Sequence, residues 1–189
     1  MRIVSGSHKS KRITAPKKLP VRPTTDMAKE SLFNILNNDY FFDEICVLDL
    51  FSGTGNISYE FASRGTLEIL SVDQNYNCVK FIQETAQNLN LKAIHVIQSE
   101  VLFFLQKQKI SRDIIFADPP YDFKLFDDLI SLVFEKKLLN KDGIFILEHC
   151  QENNFSTHAF FKKTKRYGNV NFSFFNYDSI VEEFTHNQS

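Results

Sequence analysis

The residues best placed to do chemistry form one short block. Asp118-Pro119-Pro120-Tyr121 follows the apolar run Ile114-Ile115-Phe116-Ala117. Two consecutive prolines freeze the backbone and remove two N–H donors. They leave the Asp118 carboxylate, the Pro119 carbonyl and the Tyr121 ring in fixed relation. An exocyclic amine on a nucleobase needs that set: acceptors for its hydrogens and a ring to stack on. The structural alternative is a rigid loop with Tyr121 turned into the core.

A second block lies upstream, Asp49-Leu50-Phe51-Ser52-Gly53-Thr54-Gly55. Two glycines let the backbone pass close to a ligand, and the helix that follows offers free N–H groups. G-x-G alone also fits a tight strand-to-helix turn. Asp73 stands 20 residues after Gly53, the spacing of a carboxylate that accepts ribose hydroxyls. Loop and acid together point to a nucleoside-containing cofactor. Ser99-Glu100 could meet the adenine edge of that cofactor, or simply start a helix as a dipole-favoured acid. A dinucleotide fingerprint requires a third glycine, and Ser58 occupies that place.

These blocks need a scaffold that brings strand ends together. "ICVLDLF" reads as a buried strand, with a helix from Asn56 to Arg64. "LEILSVD" is the next strand, followed by a helix from Tyr76 to Leu89. "AIHVIQ" precedes a helix through "VLFFLQKQ", and "DIIFAD" precedes one from Leu125 to Glu135. "GIFILEH" is a fifth strand, and residues 159–177 read as two antiparallel strands turning at Gly168-Asn169. Strands alternating with helices imply βαβ units in a parallel sheet. The expected fold is therefore α/β: a doubly wound, mostly parallel seven-stranded sheet. In such sheets ligands bind beyond the carboxyl ends of the strands. Every block above lies at such an end.

Upstream of the sheet, Arg2-Ile3-Val4 and Arg12-Ile13-Thr14 predict a β-hairpin around Gly6. Pro16, Pro20 and Pro23 keep the next stretch extended. Thr24 or Thr25 can cap a helix whose apolar stripe is Ala28, Leu32, Ile35 and Leu36. The expected division is residues 1–23 as a basic hairpin extension with linker and 24–189 as the catalytic domain.

The chain has 189 residues and net charge −1, which hides an asymmetry. Residues 1–25 hold seven basic side chains and no acid: Arg2, Lys9, Lys11, Arg12, Lys17, Lys18 and Arg22. The other 164 residues carry 15 basic and 23 acidic groups, a net of −8. A basic arm on an acidic body suggests a polyanionic partner met at one end. Cys46, Cys78 and Cys150 are scattered without metal-ligand spacing, and Cys46 in an apolar run packs as a small hydrophobe. No metal is expected, a reducing cytoplasm fits best, and no apolar stretch is long enough to span a bilayer. His149, ending the fifth strand, reads as structural.

Asp118-Pro119-Pro120-Tyr121 resembles the (D/N)PP(Y/F) motif of class I S-adenosylmethionine-dependent amino-group methyltransferases, and "DLFSGTG" resembles their cofactor loop. "MRIVSG", "RPTTDMAKESLFNIL" and "DLFSGTGNISYEFASRG", in this order, are similar to the bacterial 16S rRNA guanine-N2 methyltransferases of the RsmD type. The similarity runs to the "YGNVNFSFF" hairpin. It implies a Rossmann-like class I methyltransferase with an amino-terminal hairpin, acting as a monomer on 16S rRNA, free or within a small ribosomal subunit. S-adenosylmethionine would be the cofactor. Phe51, Ser52, Gly53 and Gly55 would surround its methionine half, with Asp49 orienting the loop or meeting the ammonium. Asp73 would bind the ribose with Gln74 beside it. Glu100 stands where the family has Asp near the adenine. Arg22, Pro23 and Thr24 would fold back over the site. Asp118 and Pro119 would hold the amine, and Tyr121 would stack on the base. Three rivals remain at this stage: an adenine-N6 methyltransferase, which shares the motif, a nicotinamide-dependent dehydrogenase, and a non-catalytic rRNA-binding assembly factor.

Overall fold

The computed structural model describes residues 1–16, 19 and 25–178. Lys17, Lys18 and Arg22, expected to meet RNA, lie outside the described residues, as do Pro23 and Thr24.

The sheet has seven strands: β1 (Cys46–Leu50), β2 (Glu68–Asp73), β3 (Ile94–Gln98), β4 (Arg112–Ala117), β5 (Leu139–His149), β6 (Phe161–Tyr167) and β7 (Val170–Phe175). Their order is β3-β2-β1-β4-β5-β7-β6. Strands β1 to β5 pair in parallel, and β7 is antiparallel to both β5 and β6. The order reverses beside β1, so β1 and β4 diverge into a crevice at their carboxyl ends.

Strand residues alternate between two cores because side chains alternate across a pleated sheet. Val47, Ile69, Ile114, Phe116, Ile144, Ile146, Phe172 and Phe174 pack on one face. Helices α1 (Asp26–Asp39), α2 (Asn56–Ser63) and α3 (Tyr76–Asn88) cover that face. Leu48, Leu70, Val72, Ile115, Ala117, Phe145, Leu147 and Phe175 pack on the other, under α4 (Val101–Lys107) and α5 (Phe126–Glu135). Thr25 caps α1, its side chain accepting from the Ala28 N–H. The buried stripe of α1 is Ala28, Lys29, Leu32, Phe33 and Leu36, with Ile35 only half-buried.

The amino-terminal hairpin forms, but as one bridge pair, Arg2 to Arg12, rather than a ladder. It is packed down, since Ile3 and Ile13 join the α1–α3 core. Glu60 of α2 holds it: the carboxylate accepts from Val4 N–H at 2.7 Å and Ser5 N–H at 3.0 Å. Lys29 Nζ reaches the Arg2 carbonyl at 2.6 Å, Asn56 Oδ1 at 2.8 Å and Glu60 at 3.3 Å. Both side chains of that ion pair are fully buried. The tip rests on the far end of α2, where Ser7 N–H donates to the Ser63 carbonyl at 2.7 Å. No helix among the described residues is long and apolar enough to cross a membrane.

Candidate active site

Strand register decides which residues meet. Leu50 lies beside both Val72 and Ala117, and Ala117 lies beside Leu147. One residue further on, β2, β1, β4 and β5 present Asp73, Phe51, Asp118 and Glu148 in a row. Asp49 sits one step inside β1.

The chain leaves β1 through a sharp turn. Phe51 has φ 56°, Gly53 52° and Gly55 76°. A Cβ on Gly55 would come within 2.8 Å of the Tyr59 ring, so only glycine fits. Ser52 N–H donates to the Val72 carbonyl, and its hydroxyl donates to the Asp49 carbonyl at 2.6 Å. Gly55 caps α2 with no side-chain cap. The positive end of the α2 dipole, with no capping side chain in front of it, favours an anionic group such as an amino-acid carboxylate.

Asp73 ties this loop to the next. One oxygen accepts from Gly53 N–H at 2.8 Å and the other from Asn75 N–H at 2.8 Å. Each oxygen keeps a second lone pair for a ribose hydroxyl. Gln74 is exposed beside it. Glu100 is turned to its own helix: it caps α4, accepting from Leu102 N–H at 2.9 Å and Phe103 N–H at 2.7 Å. Asp49 is almost completely buried and accepts from the Ser58 hydroxyl, which also meets Ser71 Oγ at 2.7 Å. Burial pushes its carboxyl up to about 7, although the Ser58 hydrogen bonds pull the other way.

Asp118, half-buried, donates its N–H to the Leu50 carbonyl at 3.4 Å, which ties the two strand ends together. Burial, then the charges of Glu148 and Asp49, push its carboxyl well above the ordinary range. Pro119 is half-buried and Pro120 exposed. The Tyr121 ring is 84% exposed, so it is not a core residue. His149 faces Ser173 Oγ at 2.7 Å and the Cys150 carbonyl at 2.8 Å. Burial lowers its pKa, so it serves as a neutral bridge between β5 and β7.

Two residues escaped sequence reasoning. Glu148 adds a third carboxylate beside Asp118 and Asp49. Phe123 donates its N–H to the Pro120 carbonyl at 2.9 Å and sets its ring edge-on to Phe51 at 5.3 Å. It thereby joins the corner after β4 to the loop after β1. No sequence signal marks Phe123, one of 20 phenylalanines. Of the expected RNA-contacting residues, Arg2, Lys9, Lys11 and Arg12 are exposed on the hairpin over α2.

Known proteins resemble this chain in sequence and in fold. The chain is 32% identical over 153 residues to ribosomal RNA small subunit methyltransferase D of Buchnera aphidicola subsp. Baizongia pistaciae, covering 81% of this chain and 76% of that one. It is 27% identical over 157 residues to the protein of that name from Escherichia coli K12, covering 83% and 78%. A hypothetical protein of Thermus thermophilus superposes with a TM-score of 0.82 at 22% identity, covering 93% of this chain and 99% of that one. Precorrin-6y C5,15-methyltransferase of Geobacter metallireducens shares the fold, with a TM-score of 0.68 at 12% identity over 89% of this chain and 95% of that one. The family model described as conserved hypothetical protein 95 matches residues 1–176, from the hairpin through the last sheet strand. The chain therefore belongs to that family, the RsmD-type rRNA methyltransferases.

Proposed function

We propose that the protein methylates the exocyclic N2 amine of a guanine in 16S rRNA, with S-adenosylmethionine as methyl donor. One observation carries the reading. The rigid Asp118–Tyr121 corner and the Gly53–Gly55 loop are fastened together at the carboxyl ends of adjacent strands, through Asp118 N–H to Leu50 and Phe123 against Phe51. The cofactor supplies an electrophilic methyl group on a sulfonium. The residues fit it: the amino-terminal end of α2 behind a glycine cap, a backbone held close by Gly55, and Asp73 and Asp49 as acceptors.

A guanine N2 lone pair is delocalised into its ring and attacks poorly. Asp118 and the Pro119 carbonyl would accept its two N–H hydrogens and hold the amine facing the donor. Positioning of this kind supplies as much as about 7–11 kcal/mol of a barrier. Tyr121 stands clear of the body, ready to stack on a base drawn out of its helix or loop. The raised affinity of Asp118 for a proton suits it to take one from the amine as the new bond forms. The choice of guanine N2 rests on the family resemblance, and an rRNA substrate implies a cytoplasmic enzyme.

The test is incubation with labelled S-adenosylmethionine and 16S rRNA, as free transcript and as small subunits, followed by mass mapping. N2-methylguanosine at one position is expected. N6-methyladenosine instead would overturn the guanine assignment, and no label in either substrate would overturn the rRNA reading.

A further inference from the structure

The hairpin is not a free arm, and the way it is docked defines a path. Its base, with Arg2 and Arg12 paired, lies at the start of α2 through Lys29 and Asn56, next to the active-site loop. Its tip lies at the end of α2. There Gly6 crosses Ser63 so closely that a Cβ would sit 1.8 Å from the Ser63 carbonyl oxygen. The His8 ring then contacts the Leu89 carbonyl at 2.9 Å, at the end of α3. Eight residues of α2 span about 12 Å, so the hairpin runs from the carboxyl ends of the sheet to its amino ends. Lys9, Lys11 and Arg12 are exposed along this run.

Where the tip ends, a groove begins. Gln83, Gln87, Asn90, Lys92 and His95, with Val96 on the sheet edge, line a cavity of about 500 Å³ between α3 and β3. None of its nine lining residues is an acid. That is unusual for this body, whose net charge beyond residue 25 is −8. The cavity at the foot of β4 and β5 shows the contrast, its five acids, Asp39, Glu44, Asp113, Asp142 and Asp178, outnumbering Lys141 and Lys162. Its floor includes the apolar Ala86, Leu91, Ile94 and Val96, and its polar side chains are amides, an ammonium and an imidazole, the groups that meet phosphate oxygens and ribose hydroxyls.

We infer that the α3–β3 groove is a second RNA-backbone site, continuous with the docked hairpin, so that rRNA entering the active site descends along α2 and is gripped at the sheet edge by Lys92 and His95. This rests on the rRNA reading above. The groove reads no bases; it fixes register at a distance from the reacting amine. Each neutralised phosphate steepens the salt dependence of binding, by roughly 0.7 in log–log slope for single strands.

The experiment is filter binding of a 16S rRNA transcript to the full chain between about 50 and 200 mM salt. Lys92→Glu should weaken binding severalfold and flatten the slope by about 0.7 or more. Arg12→Ala should do the same from the hairpin, and Lys141→Glu in the acidic cavity should leave the slope unchanged. If Lys92→Glu keeps the parental affinity and slope while Arg12→Ala loses both, the groove is refuted and the rRNA reading stands. If the parent chain binds the transcript with no salt dependence, the rRNA reading itself falls.

Discussion

Asp118 must be ionised to accept a hydrogen from an amine, and its surroundings oppose that. Burial and the neighbouring charges of Glu148 and Asp49 all favour its protonated form. Methyl transfer should therefore rise with pH through an acid limb displaced above the ordinary carboxylate range. Removing a charge that raises the pKa must lower it, so Glu148→Gln should move that limb to lower pH. A pH profile of single-turnover rates tests this, and an unmoved limb would detach Glu148 from the chemistry. Asp118→Ala should abolish transfer while calorimetry still finds cofactor binding; retained turnover would refute the amine-holding role. Tyr121→Phe keeps the ring and should keep activity. Tyr121→Ala should lose roughly five- to 150-fold, the equivalent of one base stack at about 1–3 kcal/mol. A large loss in the Phe variant would mean that the hydroxyl, not the face, does the work.

At the scale of elements, α1 and the hairpin are locked by one buried pair. Lys29 satisfies its three donors with Arg2, Asn56 and Glu60, while Glu60 also accepts from Val4, Ser5 and the Arg64 Nε at 3.0 Å. Burial lowers the Lys29 pKa and the Glu60 charge works against that. Breaking such a pair by removing one partner costs about 3–5 kcal/mol. Lys29→Met should lose about that much in urea denaturation. Converting Glu60 to Leu as well should not restore it, because Val4 and Ser5 would then keep unpaired N–H groups; full recovery in the double variant would show that the pair is dispensable. This element also shows what the sequence conceals. Strands β1, β2 and β4 were legible because each is an apolar run with an acid at or beside its carboxyl end, Asp49, Asp73 or Asp118, where the acid breaks the pattern and marks the site. Lys29 was not legible, since a lysine within an amphipathic pattern reads as solvent-facing unless its partner, 31 residues away, is known. The start of β5 was missed for a related reason. Asn140-Lys141-Asp142 reads as a turn, and only the register shift opposite Arg112 carries the strand through it. Glu148 was hidden because a single acid between Leu147 and His149 looks like ordinary strand alternation.

Across the whole molecule, the carboxyl ends of the sheet gather carboxyls, Asp49 buried and Asp118 half-buried, whose proton affinities are raised, and this sets how stability depends on pH. Asp49 ionises near 7 when folded and near 3.8 otherwise. Below the lower value both states are protonated, and above the upper value neither is. Between them the folded chain keeps a proton that the unfolded chain has lost, so stability falls as pH rises. Over roughly three units the loss is on the order of 4 kcal/mol, and Asp118 adds to it with the same sign. This opposes the usual acid denaturation of salt-bridged carboxylates. Asp49→Asn removes the titration, so its urea midpoint should vary less between about pH 5 and pH 8 than that of the parent. Equal variation in the two chains would refute the assignment. A cationic ligand group beside Asp49 reverses the balance, because it favours the carboxylate. Binding of the amino-acid end of the cofactor should then expel a proton near neutral pH. Calorimetry in two buffers of different ionisation enthalpy should register that release in the parent chain and less of it in Asp49→Asn. A binding heat independent of buffer would place the ammonium elsewhere.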